Sequence, residues 1–303
     1  MEKISLIFII CLLAYHPLSG QDPQYAQYDG EQLCQSSDWK IIFQDDFMGT
    51  SLDTNRWYTY FPYAPGGLDT CQFCRTHSTT ATNQIFKNEN VKVSDGLLHL
   101  QVKNEPVSWR GYESQYSAGM IHSKEAIKDY ARYEIRCKIP HDDHITAAFW
   151  AFGWSTEIDV FELSGRKYKN LMMTVHKWSD NGTSRYNSGF LKYFNFWEDF
   201  HVYTVIYDPY FIRFYVDYQL VHTKSRFVTR RGRTIDECYL ENGESYRINP
   251  IYPRVGNPLQ IIANTAVDSF RERTLPENGQ PALLKEFLID YIRVYQRTAN
   301  SNP

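Results

Sequence analysis

Hydrophobic and polar residues alternate along much of this 303-residue chain. In the segment ARYEIRCKIP, residues 131–140, Tyr133, Ile135, Cys137 and Ile139 fall on one parity, and charged residues fall on the other. Side chains of a β-strand point alternately to its two faces, so this pattern predicts a half-buried strand. It also makes Cys137 a packed core thiol.

The same alternation recurs in several short segments separated by turn signals. NVKVSDGLLHLQV indicates two strands joined by a Ser-Asp-Gly turn, and HVYTVIYD, FIRFYVDYQLVHT, PLQIIANTAV and FLIDYIRVYQR indicate further strands, with a tight turn near Asp217. Only PALLKEFLI, residues 281–289, is compatible with a short helix. Many short strands of this kind predict an all-β fold, an antiparallel sandwich or barrel.

The first twenty residues have the layout of a secretory signal peptide. A short charged start precedes an apolar run from Ile4 to Tyr15, and small residues follow at Ser19 and Gly20. The run is short for a membrane span. We therefore expect a signal peptide over 1–20, a secreted, periplasmic or extracellular protein, and no membrane insertion. Residues 21–37 form a polar extension, 38–297 one domain and 298–303 a tail.

Charge and cysteine content narrow the possible partners. The formal net charge of −3 does not indicate a basic surface for a nucleic acid, so we expect no nucleic-acid partner. We also expect a monomer. Five cysteines follow the signal, so at least one thiol is free. The pair in CQFC, Cys71 and Cys74, is either a local disulfide or two loop thiols.

A long, arginine-rich segment lies between two of the predicted strands. Residues 226–250 are rich in turn formers, which indicates a loop or insertion. Its basic cluster is either a solvated loop or a surface for an acidic glycan. The cluster comprises Arg226, Arg230, Arg231 and Arg233.

Three carboxylates interrupt one apolar strand. In WSTEIDVFELSG, Glu157 and Asp159 share a parity, but Glu162 falls on the other. A β-bulge near Val160 or Phe161 would restore the parity and bring all three acids onto one face. Without a bulge the acids do not form a site, and they could instead belong to a solvated strand or a calcium cluster.

Paired carboxylates on one face suit glycosidic bond cleavage. Four effective strand steps separate the two glutamate backbones by roughly 13 Å, which inward-leaning side chains can narrow. A separation of about 5–5.5 Å between the carboxyl groups suits a retaining glycosidase, in which one carboxylate attacks and the other protonates the leaving oxygen. Asp159 between them would orient the nucleophile and set the two glutamate pKa values apart.

The acidic segment resembles the signature of glycoside hydrolase family 16, Glu-x-Asp-x-x-Glu on a bulged strand. SAGMIHSKEAIKDYARYEIRCKIP, AAFWAFG, DFHVYTVIYDPYFIRFYVDYQLV and FLIDYIRVYQR resemble family segments in the expected order. The resemblance implies a concanavalin A-like β-jelly-roll sandwich with a concave glycan-binding cleft. It also implies retaining hydrolysis inside a β-linked polysaccharide, with Glu157 as nucleophile, Asp159 as its assistant and Glu162 as general acid/base.

Further site residues are suggested around the acids. Trp150 and Trp154 flank them and could stack on sugar rings or pack in the core. His176 resembles the histidine on the neighbouring strand of related enzymes, and Trp178 shares its parity. No cofactor is required for the chemistry. A structural calcium ion is possible, because Asp290 resembles a frequent calcium ligand of the family.

The substrate is less constrained than the reaction. A β-1,3- or mixed-linkage glucan is the first expectation, but the run HITAAFWAFG has no Trp-Pro, and residues 61–86 lack the Trp-Asn-x-Glu type of segment associated with laminarin-cleaving members. A red-algal galactan such as agar, porphyran or carrageenan therefore stays an alternative. A transglycosylase or a non-catalytic glycan-recognition protein are further alternatives.

Overall fold

The computed structural model describes residues 39–64, 66–76, 84–142, 144–163, 170–179, 184–192, 195–229, 246–253, 257–267 and 282–297. All of them belong to one compact unit, Ser37–Asp236 with Gly243–Pro303. The predicted signal peptide, the extension, the tail and the arginines at 230, 231 and 233 lie outside the described residues. Among the described residues, no helix is long and apolar enough to cross a membrane.

The described chain is built almost entirely of β-strands. In chain order they are β1 (Trp39–Asp45), β2 (Trp57–Tyr58), β3 (Ile85–Phe86), β4 (Val91–Ser94), β5 (Leu97–Trp109), β6 (Tyr112–Ala118), β7 (Met120–Ile127), β8 (Ala131–Lys138), β9 (Ile145–Gly153), β10 (Thr156–Leu163), β11 (Asn170–Trp178), β12 (Ser184–Lys192), β13 (His201–Tyr207), β14 (Phe211–Val216), β15 (Gln219–Ser225), β16 (Phe227–Thr229), β17 (Tyr246–Ile248), β18 (Leu259–Val267) and β19 (Ala282–Arg297). Two short 3₁₀ turns cover Leu68–Thr70 and Asn88–Asn90.

The strands form two large sheets and one small pair. A ten-stranded sheet has the order β15-β14-β13-β8-β19-β5-β6-β3, with β1 added on β19 and β4 on β5. A seven-stranded sheet has the order β12-β11-β10-β9-β18-β7-β2, and β16 pairs with β17. Among the strands of the described residues, every pairing is antiparallel except the short one between β3 and β6. The predicted antiparallel jelly-roll sandwich is confirmed.

The core lies between the two large sheets. From the ten-stranded sheet, alternate residues of β8 point inward, and Tyr133, Ile135 and Cys137 are fully buried. Cys137 is a free thiol, as its parity predicts. Phe161 from the seven-stranded sheet meets Tyr203 from the other sheet at a ring distance of 4.6 Å. This contact shows which face of β10 points into the sandwich.

Turn chemistry explains the hairpins. The turn between β4 and β5 is made by Asp95 and Gly96, which both have positive φ, at 54° and 72°. Two such residues in sequence suit a two-residue hairpin turn, and Asp and Gly tolerate that region best. Asp217 and Tyr218 make the predicted tight turn between β14 and β15, also with positive φ.

Two local expectations need correction or completion. The helix considered for residues 281–289 is wrong, because Ala282–Ile289 belongs to β19. Its residues pair along their length with β5, and such tertiary pairing overrides a weak helical preference. The segment 226–250, expected to be a loop, contains the β16–β17 pair at its two ends.

Candidate active site

The acidic strand β10 contains the predicted bulge. Against β9, Asp159 pairs with Trp150 while Phe161 pairs with Phe149, so Val160 is an extra residue. The register against β11 shifts between Asp159 and Glu162 as well. One inserted residue changes the parity of everything after it, and this brings Glu162 back to the face of the earlier acids.

Burial separates the two faces of β10. Ile158, Val160, Phe161 and Leu163 all belong to the main core. Val160 and Phe161 are consecutive yet both point inward, which is the local signature of the bulge. The three acids therefore line the outer face of the seven-stranded sheet.

The carboxyl groups are close enough to perturb one another. Burial raises the pKa of Asp159, which is only 2% exposed, and the nearby Glu162 carboxylate raises it further. Burial and then the Asp159 carboxylate raise the pKa of Glu157 to about 7. Burial and the Glu157 carboxylate also raise the pKa of Glu162. Crowded, desolvated carboxyls cannot all ionise, so the site retains at least one proton near neutral pH.

Strand β11 supplies two partners for these acids. His176 lies opposite Glu157 in the register, and its Nε2 is 3.1 Å from Oδ2 of Asp159. The indole Nε1 of Trp178 donates a hydrogen bond of 2.6 Å to Oε2 of Glu157. The rings of His176 and Trp178 are stacked, with centroids 5.8 Å apart. Both residues predicted on this strand therefore meet the acids directly.

The two tryptophans near the acids have different environments. Trp150 is 7% exposed, and its Nε1 donates a hydrogen bond of 2.8 Å to Oδ1 of Asn264. This gives Trp150 a packing role, and sugar stacking by it stays a prediction. Trp154 is 86% exposed, directly after β9, and leaves a ring face open to a ligand.

A segment that the sequence reasoning missed covers part of the same face. Phe61 is fully buried and packs on Trp150 with ring centroids 6.2 Å apart. Tyr63 stacks on Phe61 at 5.0 Å, and burial followed by the Glu157 carboxylate raises the pKa of Tyr63. The aromatic run YTYFPY was a visible signal, but its spacing does not tell where it packs.

A disulfide holds this segment in place. Cys71 and Cys74 are bonded, which resolves the two alternatives for CQFC, and both are buried. The backbone N–H of Phe61 donates a hydrogen bond of 2.8 Å to the carbonyl of Cys74. The bonded turn therefore anchors the aromatic residues beside the acids.

The opposite side of the site carries a second exposed aromatic residue. Tyr186 on β12 pairs with His176, lies 5.5 Å from its ring and is 65% exposed. Sequence reasoning also missed this residue.

Two places have side chains that could act as ligands of a metal ion. Oxygen and nitrogen atoms of Glu157, Asp159 and His176 lie within 4.8 Å of one another. Two carboxylates and one imidazole supply fewer oxygen ligands than calcium takes. Asp290 is ion-paired with Arg136, and a guanidinium at that carboxylate disfavours a cation there. Calcium at Asp290 stays a prediction that these contacts do not support.

Comparisons with known proteins identify the family of the chain. The family described as "Glycosyl hydrolases family 16" matches residues 78–234. The chain is 30% identical over 275 residues to the glucan endo-1,3-beta-glucosidase A1 of Niallia circulans, over 84% of this chain and 38% of that protein. It is 27% identical to a beta-glucanase of Rhodothermus marinus, with 85% of each chain covered.

Solved structures show the same fold. The catalytic domain of an endo-1,3-beta-glucanase (laminarinase) from Thermotoga petrophila superposes with a TM-score of 0.63 at 23% identity, covering 87% of this chain and 100% of that one. LamAcat from Zobellia galactanivorans gives 0.59 at 22% identity, covering 84% and 97%. The chain belongs to glycosyl hydrolase family 16. It spans 38% of the length of its Niallia circulans relative.

Proposed function

We propose that this protein is a secreted endo-acting retaining hydrolase of a β-1,3- or mixed-linkage glucan. Two relatives, a glucan endo-1,3-beta-glucosidase and a beta-glucanase, support this substrate class. The disulfide between Cys71 and Cys74 is consistent with an oxidising compartment outside the cytosol. The predicted signal peptide at residues 1–20 is the basis for secretion.

The observation that carries the mechanism is an asymmetry between the two glutamates. Glu157 accepts the indole N–H of Trp178, whereas in the described part of the chain no hydrogen-bond donor reaches Glu162. A hydrogen bond to a carboxylate favours its charged form, and burial favours the neutral form. The hydrogen bond from Trp178 opposes the burial that raises the pKa of Glu157, so we assign the attack as an anion to Glu157 and the transferred proton to Glu162.

The reaction then follows the double displacement of retaining glycosidases. Glu162 protonates the leaving glycosidic oxygen while Glu157 attacks the anomeric carbon and forms a covalent glycosyl-enzyme. Glu162 next removes a proton from water, whose oxygen attacks the anomeric carbon from the face that the leaving group left and displaces Glu157. Asp159 is buried beside Glu157, shares a side-chain hydrogen bond with it and assists the attack by holding the nucleophile in place. No metal or organic cofactor is needed for these steps.

Exposed aromatic rings provide the contacts for the glycan. The apolar faces of sugar rings stack on aromatic side chains, which offer large contact areas. The exposed rings of Trp154, Tyr63 and Tyr186 lie around the acids and are suited to this stacking. The site binds a neutral polysaccharide, and we expect the enzyme to act as a monomer.

An activity screen tests this proposal. The mature protein and its Glu157→Gln variant are incubated with laminarin, lichenan, agarose, porphyran and carrageenan, and reducing ends and oligomer sizes are measured. We expect oligomers from laminarin or lichenan with the parent protein only. Hydrolysis of a galactan and of no glucan would contradict the proposed substrate class but would leave the proposed mechanism unchanged.

The remaining outcomes separate the other functions. Turnover by Glu157→Gln equal to the parent would contradict the mechanism. Binding without any reducing ends would favour the glycan-recognition alternative. Longer products with an added oligosaccharide acceptor would indicate a transglycosylase.

A further inference from the structure

Trp178 is placed to contact the nucleophile by the register of β10 and β11. Glu157 lies opposite His176, and Trp178 follows His176 by two positions on the same face. Diagonal neighbours across antiparallel strands are within reach of a long aromatic side chain. The indole Nε1 reaches Oε2 of Glu157 at 2.6 Å, a length typical of a hydrogen bond to a charged oxygen.

The indole is held by contacts that do not involve a ligand. Trp178 is the last residue of β11, and its backbone N–H donates a hydrogen bond of 3.0 Å to the carbonyl of Ser155. One ring face is covered by His176, with an interplanar angle of 16°. The donor is therefore already oriented, and donating it to Glu157 requires no rearrangement when substrate binds.

We propose that Trp178 is a positioning residue that fixes the carboxylate of Glu157 and favours its ionised form for attack. This deepens the proposed function and rests on Glu157 being the nucleophile. Burial and the adjacent acids push a proton onto Glu157, and the indole N–H opposes them. Trp178 and His176 both lower the pKa of Glu157: Trp178 does so through a direct side-chain hydrogen bond, and His176 through its charge.

The competing role for Trp178 is a stacking platform for a sugar. Stacking depends on the aromatic face, whereas positioning depends on the N–H. Trp178→Phe keeps an aromatic face and removes the donor. Trp178→His keeps an aromatic ring with an N–H donor. The pair therefore separates the two roles at one position.

The experiment compares pH profiles of kcat/KM on a soluble glucan. For Trp178→Phe we expect kcat/KM to fall at least about tenfold near pH 5–6, with KM changed by less than about twofold. We also expect the acidic limb, which reports ionisation of Glu157 in the free enzyme, to move up by about one pH unit. Trp178→His keeps a ring N–H that can donate to Glu157, so this variant should recover part of both changes.

A matched control removes a similar hydrogen bond away from the acids. Trp57 lies on β2, at the edge of the seven-stranded sheet, and its Nε1 donates a hydrogen bond of 2.8 Å to Oδ2 of Asp45. Trp57→Phe should lower the melting temperature without moving the acidic limb. This separates loss of stability from loss of control over Glu157.

The outcomes distinguish failure of this inference from failure of the proposed function. An unmoved acidic limb with a raised KM in Trp178→Phe would make Trp178 a sugar platform and overturn the inference. Should Trp178→Phe fail to fold, Trp178→His decides the question: an acidic limb moved up by less than about one pH unit with a nearly unchanged KM would support the inference, and an unmoved limb with a raised KM would overturn it. Full turnover by Glu157→Gln would instead overturn the proposed function.

Discussion

His176 Nε2 lies 3.1 Å from Oδ2 of Asp159, a side chain that is 2% exposed. The contact joins β11 to β10 at the centre of the acidic cluster. When its ring is protonated, His176 also lowers the pKa of Glu157 and of Glu162 against the effect of their burial. One imidazole thus acts on all three carboxyls.

Replacing His176 should therefore change the pH dependence of the reaction. In His176→Gln the glutamates lose a nearby cation, so their pKa values rise and less Glu157 is ionised at acidic pH. We expect the acidic limb of kcat/KM to shift upward and kcat/KM to fall by roughly tenfold or more. The measurement is kcat/KM from about pH 4 to 9 on a soluble glucan.

The control for this variant is a histidine that pairs with a carboxylate on the other sheet. His99 Nδ1 lies 3.4 Å from Oε2 of Glu286. His99→Gln should leave the pH profile unchanged. Equal profiles for the parent and His176→Gln would show that His176 has no electrostatic role.

Folding stability should depend on the protonation of Glu157. Its pKa is about 7 in the folded protein, above the ordinary value of 4.5, so folding favours the protonated form. The resulting stabilisation is complete below about pH 4.5 and is lost as the pH rises through 7. The loss is on the order of 3 kcal/mol, and it should lower the melting temperature over this range.

Glu157→Gln cannot lose a proton and should flatten that dependence. We expect the variant to be more stable than the parent near pH 8 and similar to it near pH 4. Glu113→Gln, at an exposed position of β6, is the matched control and should keep the parental slope. A Glu157→Gln curve parallel to that of the parent would contradict the raised pKa.

The sequence predicted local features of the site, but it did not predict which distant segments pack against them. The bulge after Asp159 followed from parity alone, because a glutamate on the wrong face has no other simple remedy. His176 was predicted from its resemblance to the histidine on the neighbouring strand of related enzymes, and Trp178 was predicted because it shares the parity of His176. The site of Tyr63 was missed, because nothing local to its loop shows that the loop crosses the acidic face.

Trp150 shows a second limit of sequence reasoning. Its position beside the acids left sugar stacking and core packing open, and the structure adds two contacts that the sequence does not show: Phe61 packs on its ring, and Asn264 accepts a hydrogen bond from its N–H. Whether an aromatic residue is covered depends on segments far away in the chain. The helix considered for residues 281–289 failed for the same reason, because pairing of β19 with β5 decided its structure.

The disulfide between Cys71 and Cys74 should matter for both stability and substrate binding. A short closed loop of this kind contributes about 2 kcal/mol through the entropy of the unfolded chain. We expect the double variant Cys71→Ser and Cys74→Ser to melt at a lower temperature and to have a raised KM, because the bonded turn holds Phe61.

Cys137→Ala provides the comparison for this variant. It removes a buried free thiol from the core and should lower stability without raising KM. If the double serine variant keeps the parental KM, the disulfide-bonded segment is not part of the substrate site.

Trp154 should contribute to binding more than to chemistry. Its side chain is 86% exposed, so Trp154→Ala should remove stacking area at little cost to stability. We expect KM for a soluble glucan to rise about threefold to thirtyfold, with kcat nearly unchanged. Tyr218→Ala, which removes a 64% exposed ring beyond β14 on the other sheet, should leave KM as it is.

The central claim is that the bulge in β10 turns Glu157 and Glu162 into a nucleophile and acid/base pair of a retaining enzyme. The most direct test is the configuration of the first product, followed by proton NMR within the first minutes of hydrolysis of a β-linked glucan oligosaccharide. The account predicts that the β-anomer of the new reducing end appears first and that the α-anomer grows later by mutarotation. An α-anomer formed first would show inversion and contradict the account.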